Sequence, residues 1–160
     1  MNNNRFFSMS ALVIYLAGGL NQGLASKMAI WGATPDFLII AIAVLGLLHE
    51  MRFALVIGFA AGLIQGAVIG SLMWQFVVTR MLLGGLAGFL VEGRVQRNPL
   101  VTAIVTVVMT LIGGIFMMIL AREGSIGEGL KATIISAVYN GVIALLVVIP
   151  VERLTGVPKQ

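Results

Sequence analysis

Six long apolar runs, separated by short segments that carry almost all of the charge, constrain this chain more than any other feature of its sequence. A helix that crosses a membrane needs about 20 mostly apolar residues, so a chain of 160 residues holds roughly six such helices. Charged residues make up only 10% of the chain, whereas soluble domains contain roughly 25%. The sequence therefore predicts an all-α, polytopic membrane bundle that forms a single domain.

The predicted transmembrane helices follow the apolar runs, and we expect them at about residues 6–26, 36–50, 53–72, 74–91, 100–121 and 130–150. The second run is short, so it spans the membrane thinly or extends at either end. The first run follows Arg5 and also has the character of a signal peptide, with a small-residue cleavage site at Gly23-Leu24-Ala25. We favour an uncleaved helix because further membrane segments, rather than an exported soluble domain, follow it.

The orientation of the chain follows from its Lys and Arg residues, which are enriched in cytoplasmic loops. If both termini lie in the cytoplasm, six of these residues lie on the cytoplasmic side: Arg5, Arg52, Arg94, Arg97, Arg153 and Lys159. Three lie on the outer side: Lys27, Arg122 and Lys131. Arg80, inside a predicted helix, is not counted. The sequence thus predicts cytoplasmic termini, in agreement with an even number of spans. Trp31 and Trp74 then lie near the outer surface, where indole side chains are enriched.

The residue types that carry catalysis and metal binding are scarce. The chain has no cysteine and a single histidine, His49, which excludes thiolate chemistry and multi-histidine metal sites. Its six acidic residues fall at predicted helix ends or in loops, which disfavours ion coupling through carboxylates within the membrane. The net charge of +4 orients the chain in the membrane and does not indicate nucleic-acid binding. We therefore expect no enzyme activity, no cofactor and no bound metal.

Glycine recurs at every fourth residue in the third predicted helix, and the pattern returns in the fourth and the first: Gly58, Gly62, Gly66 and Gly70, then Gly84 with Gly88, and Gly19 with Gly23. Residues four apart share one helix face, so each series forms a smooth stripe. In lipid, close approach of backbones along small residues is a main source of packing energy. The stripes therefore predict helix contacts, with packing inside the chain favoured over contact with a partner protein.

Arg80 is the most unusual residue, because a cation at mid-bilayer costs at least about 2.5 kcal/mol. Two alternatives account for it. Its side chain extends to the nearby outer surface, or it has a fixed partner, which is a residue of this chain, an acidic ligand or a partner protein. Asp36 is the natural internal partner, because Pro35-Asp36 predicts the start of the second helix on the same side.

Other polar residues within the predicted helices suit hydrogen bonds between helices. Tyr139-Asn140 lies in the sixth, and a buried Asn contributes roughly 0.6 to 2 kcal/mol across a helix interface. Gln65 and Asn21-Gln22 have the same interpretation. None of them brings a nucleophile, a base and an oxyanion donor together.

A helix opening with Pro35-Asp36 is followed by short motifs rich in glycine: Gly58-Phe59, Gly62-Leu63, Gly70, Leu83-Gly84, Leu86-Ala87-Gly88 and Tyr139-Asn140-Gly141. With the chain length and helix count, these motifs resemble the rod shape-determining protein MreD family. The sequence departs from the family at Gln65-Gly66, where many members carry an acidic residue, so no role of that acid carries over.

The resemblance implies a non-enzymatic component of the bacterial inner membrane that belongs to the elongation machinery. Its partners would be the bitopic membrane protein MreC and, through it, the MreB filament and the glycosyltransferase RodA with its transpeptidase. Such a protein helps to control cell shape and lateral peptidoglycan synthesis. The family also resembles, in fold, the S components of energy-coupling-factor vitamin transporters, which are six-helix bundles.

Two other classes of function are alternatives. A substrate-binding S component needs an outward-facing pocket with convergent polar groups, which Arg80, Asp36 and Asn140 suit. Its first helix commonly carries Ala-x-x-x-Ala, whereas here Ala11 is followed four residues later by Tyr15. A membrane enzyme acting on lipid needs a metal-binding acidic pair or a nucleophile with its base, and the sequence indicates neither.

Overall fold

The computed structural model describes residues 3–93, 98–121 and 125–155. This part of the chain forms six helices: α1 (Asn3–Gly23), α2 (Phe37–Gly46), α3 (Met51–Ile69), α4 (Met73–Glu92), α5 (Pro99–Ala121) and α6 (Ile126–Thr155). A short 3-10 helix, Ala25–Met28, lies between α1 and α2. The prediction of an all-helical chain is confirmed for the described residues.

The long helices form two antiparallel pairs. In the first pair, Gly58 of α3 lies against Arg80 of α4, and Gly66 lies against Met73. In the second pair, Gly114 of α5 lies against Thr133 of α6. The ends of α3 and α5 therefore meet the starts of α4 and α6 at one end of the bundle. That end carries Trp31 and Trp74, and we call it the tryptophan end.

The centre of the bundle is α2, which contacts all five other helices. Every residue from Leu38 to Gly46 is buried, so α2 is apolar around its whole circumference and lies enclosed rather than against a surface. At one end the side chain of Asp36 caps the helix. At the other end the ring Nδ1 of His49 bonds the carbonyl of Leu45 at 2.6 Å.

Four described helices, α3 to α6, are long and apolar enough to cross a membrane, so the chain is a multi-pass helical membrane protein. Within the predicted span over residues 36–50, the helix α2 covers only Phe37–Gly46, so this helix is shorter than predicted and the span stays a prediction. Its ten residues cover about 15 Å, about half of the roughly 30 Å hydrocarbon core. The caps at both ends explain this, because they satisfy backbone groups that a longer helix would bond itself. In contrast, α6 extends beyond the predicted 130–150 at both ends.

The glycine stripes of α3 and α4 face each other. A Cβ atom added to Gly58 would lie 2.2 Å from the carbonyl oxygen of Arg80, and one added to Gly84 would lie 2.1 Å from that of Ala54. Gly62, Gly66 and Gly88 likewise lie against backbone atoms of the opposite helix. These five glycines pack within the chain and are buried, so they do not form a surface for a partner.

Gly70, Gly19 and Gly23 take no part in this packing within the chain, and contact with a partner stays a prediction for them. Gly70 follows α3 as its C-cap with φ of 73°, a left-handed conformation that suits glycine. Open space surrounds Gly19 and Gly23. In α1 it is Gly18 that allows close approach, since a Cβ there would lie 2.7 Å from Ile64 of α3.

The predicted orientation depends in part on residues outside the described part of the chain, namely Arg94, Arg97, Arg122 and Lys159. Among the described residues, Trp31 and Trp74 are exposed at the tryptophan end. Trp31 lies at the tip of a tight turn in which Ile30 and Ala33 exchange two backbone hydrogen bonds of 2.9 Å. Cytoplasmic termini stay a prediction.

Candidate functional site

A polar network crosses the bundle below the tryptophan end and contains one side chain from each helix or its cap: Asn21, Asp36, Gln65, Arg80, Thr110 and Asn140. Each of these residues is buried or half-buried. Buried polar groups are costly in an apolar medium unless they are hydrogen-bonded. The network is therefore the place where the chain departs most from a purely apolar bundle.

Asp36 is the centre of the network, because it caps α2 and contacts three other helices. Its Oδ1 accepts a hydrogen bond from the backbone N–H of Ile39 at 3.0 Å. Asn21 supports the same helix start, since its Oδ1 accepts from the N–H of Phe37 at 2.8 Å. The Nδ2 of Asn21 also lies 3.4 Å from Asp36 Oδ1. The positive end of the α2 dipole also attracts the negatively charged side chain of Asp36.

Arg80 forms an ion pair with Asp36 through one terminal nitrogen of its guanidinium group. Its Nε donates to Oε1 of Gln65 in α3 at 2.8 Å. The residue is only 3% exposed, so the side chain stays in the bundle and does not extend to the membrane surface. Of the two alternatives for this cation, the structure shows the internal pair. Gln65 thus provides a second hydrogen-bond partner for the Arg80 side chain.

Asn140 connects α6 to two other helices and is fully buried. Its Oδ1 accepts from the backbone N–H of Asp36 at 2.9 Å, and its Nδ2 donates to the hydroxyl of Thr110 at 3.1 Å. The Thr110 hydroxyl in turn donates to the carbonyl of Thr106 at 2.8 Å. Asn140 thus fixes the start of α2 against α5 and α6, as expected for a hydrogen bond between helices.

Several contacts were missed by sequence reasoning. Thr110 was missed although threonine recurs at residues 102, 106 and 110, a four-residue repeat that marks one face of α5. A second missed contact joins the hydroxyl of Ser136 in α6 to the carbonyl of Thr34, in the segment before α2, at 3.0 Å. Tyr139, predicted together with Asn140, lies on a different face of α6 and makes no side-chain hydrogen bond within the described residues.

Two cavities adjoin the network on opposite sides of Asp36 and Gln65. The larger, which we call the polar cleft, has a volume of about 310 Å³ and lies between α4, α5, α6 and residues 32–34. The smaller has a volume of about 220 Å³ and is lined by α1, α3 and the segment before α2. Both open near the tryptophan end, so polar groups of the bundle interior face space that a small molecule can occupy.

A third cavity, of about 380 Å³, lies between α1 and α3 away from the network and is lined almost wholly by apolar side chains. Ser10 and His49 line it, with the Ser10 hydroxyl 3.4 Å from the His49 Nε2. This distance is long for a hydrogen bond from a hydroxyl group. Because His49 also bonds the end of α2, the pair joins α1 to the turn after α2 and has a structural role.

Among the residues that the structure describes, no group of three or more His, Cys, Asp or Glu side chains is placed to hold a metal ion. The carboxylate of Asp36 is instead held by Arg80 and by backbone N–H groups. What the network can do chemically is to hold charge and hydrogen bonds in place within the membrane. Comparison with known protein families, characterised proteins and solved structures yields no match for this chain.

Proposed function

We propose that this protein is a non-enzymatic scaffold of the bacterial inner membrane that works in the rod elongation complex and binds an MreC-like bitopic membrane protein. Through that partner it acts on the MreB filament and on RodA with its transpeptidase, and so on cell shape and lateral peptidoglycan synthesis. In this proposal α1, and α2 with the short segments beside it, also cross the membrane, so that the chain crosses six times and both termini lie in the cytoplasm.

The observation that carries the proposal is the mutual bonding of the interior polar groups. Asp36, Arg80 and Asn140 bond one another or their neighbours from all six helices. Such a network ties the helices into one body. A body of this kind offers its outer surface to partners, as a scaffold requires.

The motifs that resemble the MreD family fall at positions that build this body. Gly58, Gly62, Gly84 and Gly88 form the backbone contact of α3 with α4. Pro35-Asp36 starts α2, and Asn140 bonds the backbone of Asp36. The residues that carry the resemblance are therefore the ones that hold the helices together. A family that shares these residues is expected to form the same bundle, whose outer surface binds partners.

Because the facing glycine stripes of α3 and α4 are used internally, we expect the MreC-like partner to contact side chains that face the lipid. Many large apolar side chains are exposed on the outer faces of α1 and α5, among them Tyr15, Leu16, Phe116 and Ile119. Transmembrane helices associate through shape complementarity rather than through a hydrophobic drive. Substitutions on one of these faces should weaken the partner without unfolding the bundle.

The test is purification of the tagged chain in mild detergent from its own cells, followed by identification of what is recovered with it. We expect an MreC-like protein, and we expect depletion of the chain to turn rod-shaped cells round. Tyr15→Ala and Phe116→Ala probe the two outer faces, and Leu146→Ala, exposed on α6, serves as the matched control. Recovery of an energy-coupling ATPase pair instead, with normal cell shape on depletion, would contradict the proposal.

The second candidate, an S component of an energy-coupling-factor transporter, is favoured by the polar cleft. The cleft brings Asp36, Gln65 and Arg80 together with hydroxyl groups in a volume at the lower end of the range for small-molecule sites. This candidate predicts loss of uptake of one vitamin when the gene is removed. The same purification separates the two candidates, because an S component docks on its ATPase module and not on MreC.

A further inference from the structure

The polar cleft is a feature that the scaffold role does not use. Its volume of about 310 Å³ equals the room of about ten water molecules. The cleft is open on one side rather than enclosed, so molecules from outside can enter it. The chemistry of its lining indicates which kind of molecule it suits.

The lining offers hydrogen-bonding capacity that the chain leaves unused. The hydroxyl of Thr133 makes no hydrogen bond within the described residues. The hydroxyl of Ser136 donates to Thr34 but keeps lone pairs as acceptors. Gln65 uses its oxygen for Arg80, which leaves its NH₂ group as a donor. Donors and acceptors thus line one small space in α3 and α6.

The charge of the lining excludes ions as the preferred occupant. Arg80 and Asp36 are the two charged residues of the cleft wall, and they neutralise each other through their ion pair. An anion attracted by Arg80 would be repelled by Asp36, and a cation would meet the opposite conflict. The cleft is therefore matched to a polar molecule without net charge.

We propose that the polar cleft is a water-filled binding site for a small, uncharged solute rich in hydroxyl groups. The solute enters from the aqueous phase at the tryptophan end and bonds Thr133, Ser136 and Gln65, while the Arg80–Asp36 pair forms one wall of the site. This site goes beyond the scaffold role and does not depend on it.

The absence of cysteine allows a direct test on the full chain, since each introduced thiol is the only one. Ser136→Cys and Thr133→Cys place a thiol in the cleft wall, whereas Ile134→Cys and Val138→Cys place one among exposed apolar side chains of the same helix. A thiol reacts as the thiolate, which needs water. In phosphatidylcholine nanodiscs, we expect neutral hydroxyethyl methanethiosulfonate to label the cleft thiols at least about tenfold faster than the lipid-facing ones.

Binding is then measured as protection of Ala132→Cys from this reagent, because Ala132 lines the cleft and forms none of the proposed bonds to the solute. The probe is myo-inositol, and acetate and tetramethylammonium serve as charged probes of small size. We expect myo-inositol to slow labelling of the cleft thiol several-fold in a saturable manner and to leave Ile134→Cys unchanged. Because phosphatidylcholine has no hydroxyl-bearing head group, protection in these nanodiscs comes from the free solute and not from lipid.

Three results would overturn the proposal. Equal labelling of cleft and lipid-facing thiols would mean that the cleft is dry. No protection by myo-inositol at any concentration would remove the binding site, and protection by acetate or tetramethylammonium alone would assign an ion site instead. A charge variant adds a check: in Asp36→Asn, the unpaired Arg80 should make a sulfonate-bearing reagent label Ser136→Cys faster than in the parent. If that variant does not fold, the measurements with the native ion pair decide alone.

Discussion

The contact between α3 and α4 and the network around Asp36 hold the same bundle together by different means. In the contact between α3 and α4, glycine has no side chain, so the two backbones meet directly. Each helix then needs only a smooth surface opposite it. In the second, six side chains must meet with correct donors and acceptors. The first contact depends on shape and the second on pairing, and substitutions should separate the two.

The largest loss of stability should come from adding a side chain where α3 and α4 meet through glycine. In Gly84→Leu, the new Cβ would lie 2.1 Å from the carbonyl oxygen of Ala54, and backbone cannot move aside as a side chain can. Overpacking of a well-packed core costs about 1–3 kcal/mol and occasionally more. We expect this backbone clash to exceed that range and to abolish the monodisperse peak in size-exclusion chromatography of the detergent-solubilised protein.

Gly19→Leu is the matched control, because open space surrounds Gly19 in the same kind of helix. It should elute like the parent. A monodisperse, thermally stable Gly84→Leu protein would contradict the assignment of this stripe to internal packing.

The next largest effect should come from the ion pair. Arg80→Met leaves the Asp36 carboxylate without its cation, and removing one member of a buried pair costs about 3–5 kcal/mol. In the double variant Asp36→Asn with Arg80→Met, the amide oxygen still caps α2 and no charge stays buried. We therefore expect the double variant to regain most of the lost stability in a reversible unfolding titration with sodium dodecyl sulfate.

If the double variant loses as much free energy of unfolding as the two single variants together, the two charges do not act as a pair. Asp36→Asn alone separates the cap from the charge. It should be less stable than the double variant, because Arg80 would then be the unpaired ion.

The glycine contact was predictable because its signal is local. A four-residue repeat marks one helix face whatever the rest of the chain does, and Gly58, Gly62, Gly84 and Gly88 follow it. The prediction of packing within the chain was wrong at Gly70, because a stripe and a left-handed helix end both favour glycine. In α1 the repeat at Gly19 and Gly23 lies on an exposed face, and the contact within the chain is made by Gly18 with Ile64.

The sequence predicted which residues belong to the network around Asp36, but not how they bond to one another. Arg80, Asp36, Gln65 and Asn140 stand out in apolar helices, and the Asp36 partner of Arg80 was one of two alternatives. Which atoms meet depends on how α2 is placed among the other helices, and that is a property of the whole fold. The length of α2 was missed for the same reason, because it ends where the His49 ring bonds the Leu45 carbonyl.

A smaller loss should follow from Asn140→Leu, which keeps the number and branching of the side-chain heavy atoms but cannot bond Asp36 or Thr110. The N–H of Asp36 would lose its acceptor, and a buried unsatisfied polar group costs about 1–3 kcal/mol. We expect a loss of this size in the same unfolding titration. Tyr139→Phe, next in sequence, should change stability by less than about 0.5 kcal/mol because its hydroxyl bonds nothing within the described residues.

The smallest effect should come from Thr110→Val, which keeps the shape of the side chain and removes the hydroxyl that accepts from Asn140. Hydrogen bonds between transmembrane helices average about 0.6 kcal/mol in double-mutant cycles. A cycle of Thr110→Val with Asn140→Leu should return a coupling energy of this size. Thr106→Val is the control, because its hydroxyl donates only to the carbonyl of Thr102 in its own helix. Its coupling to Asn140 should be near zero, and equal coupling at both threonines would mean that Asn140 senses the packing of α5 rather than one hydroxyl group.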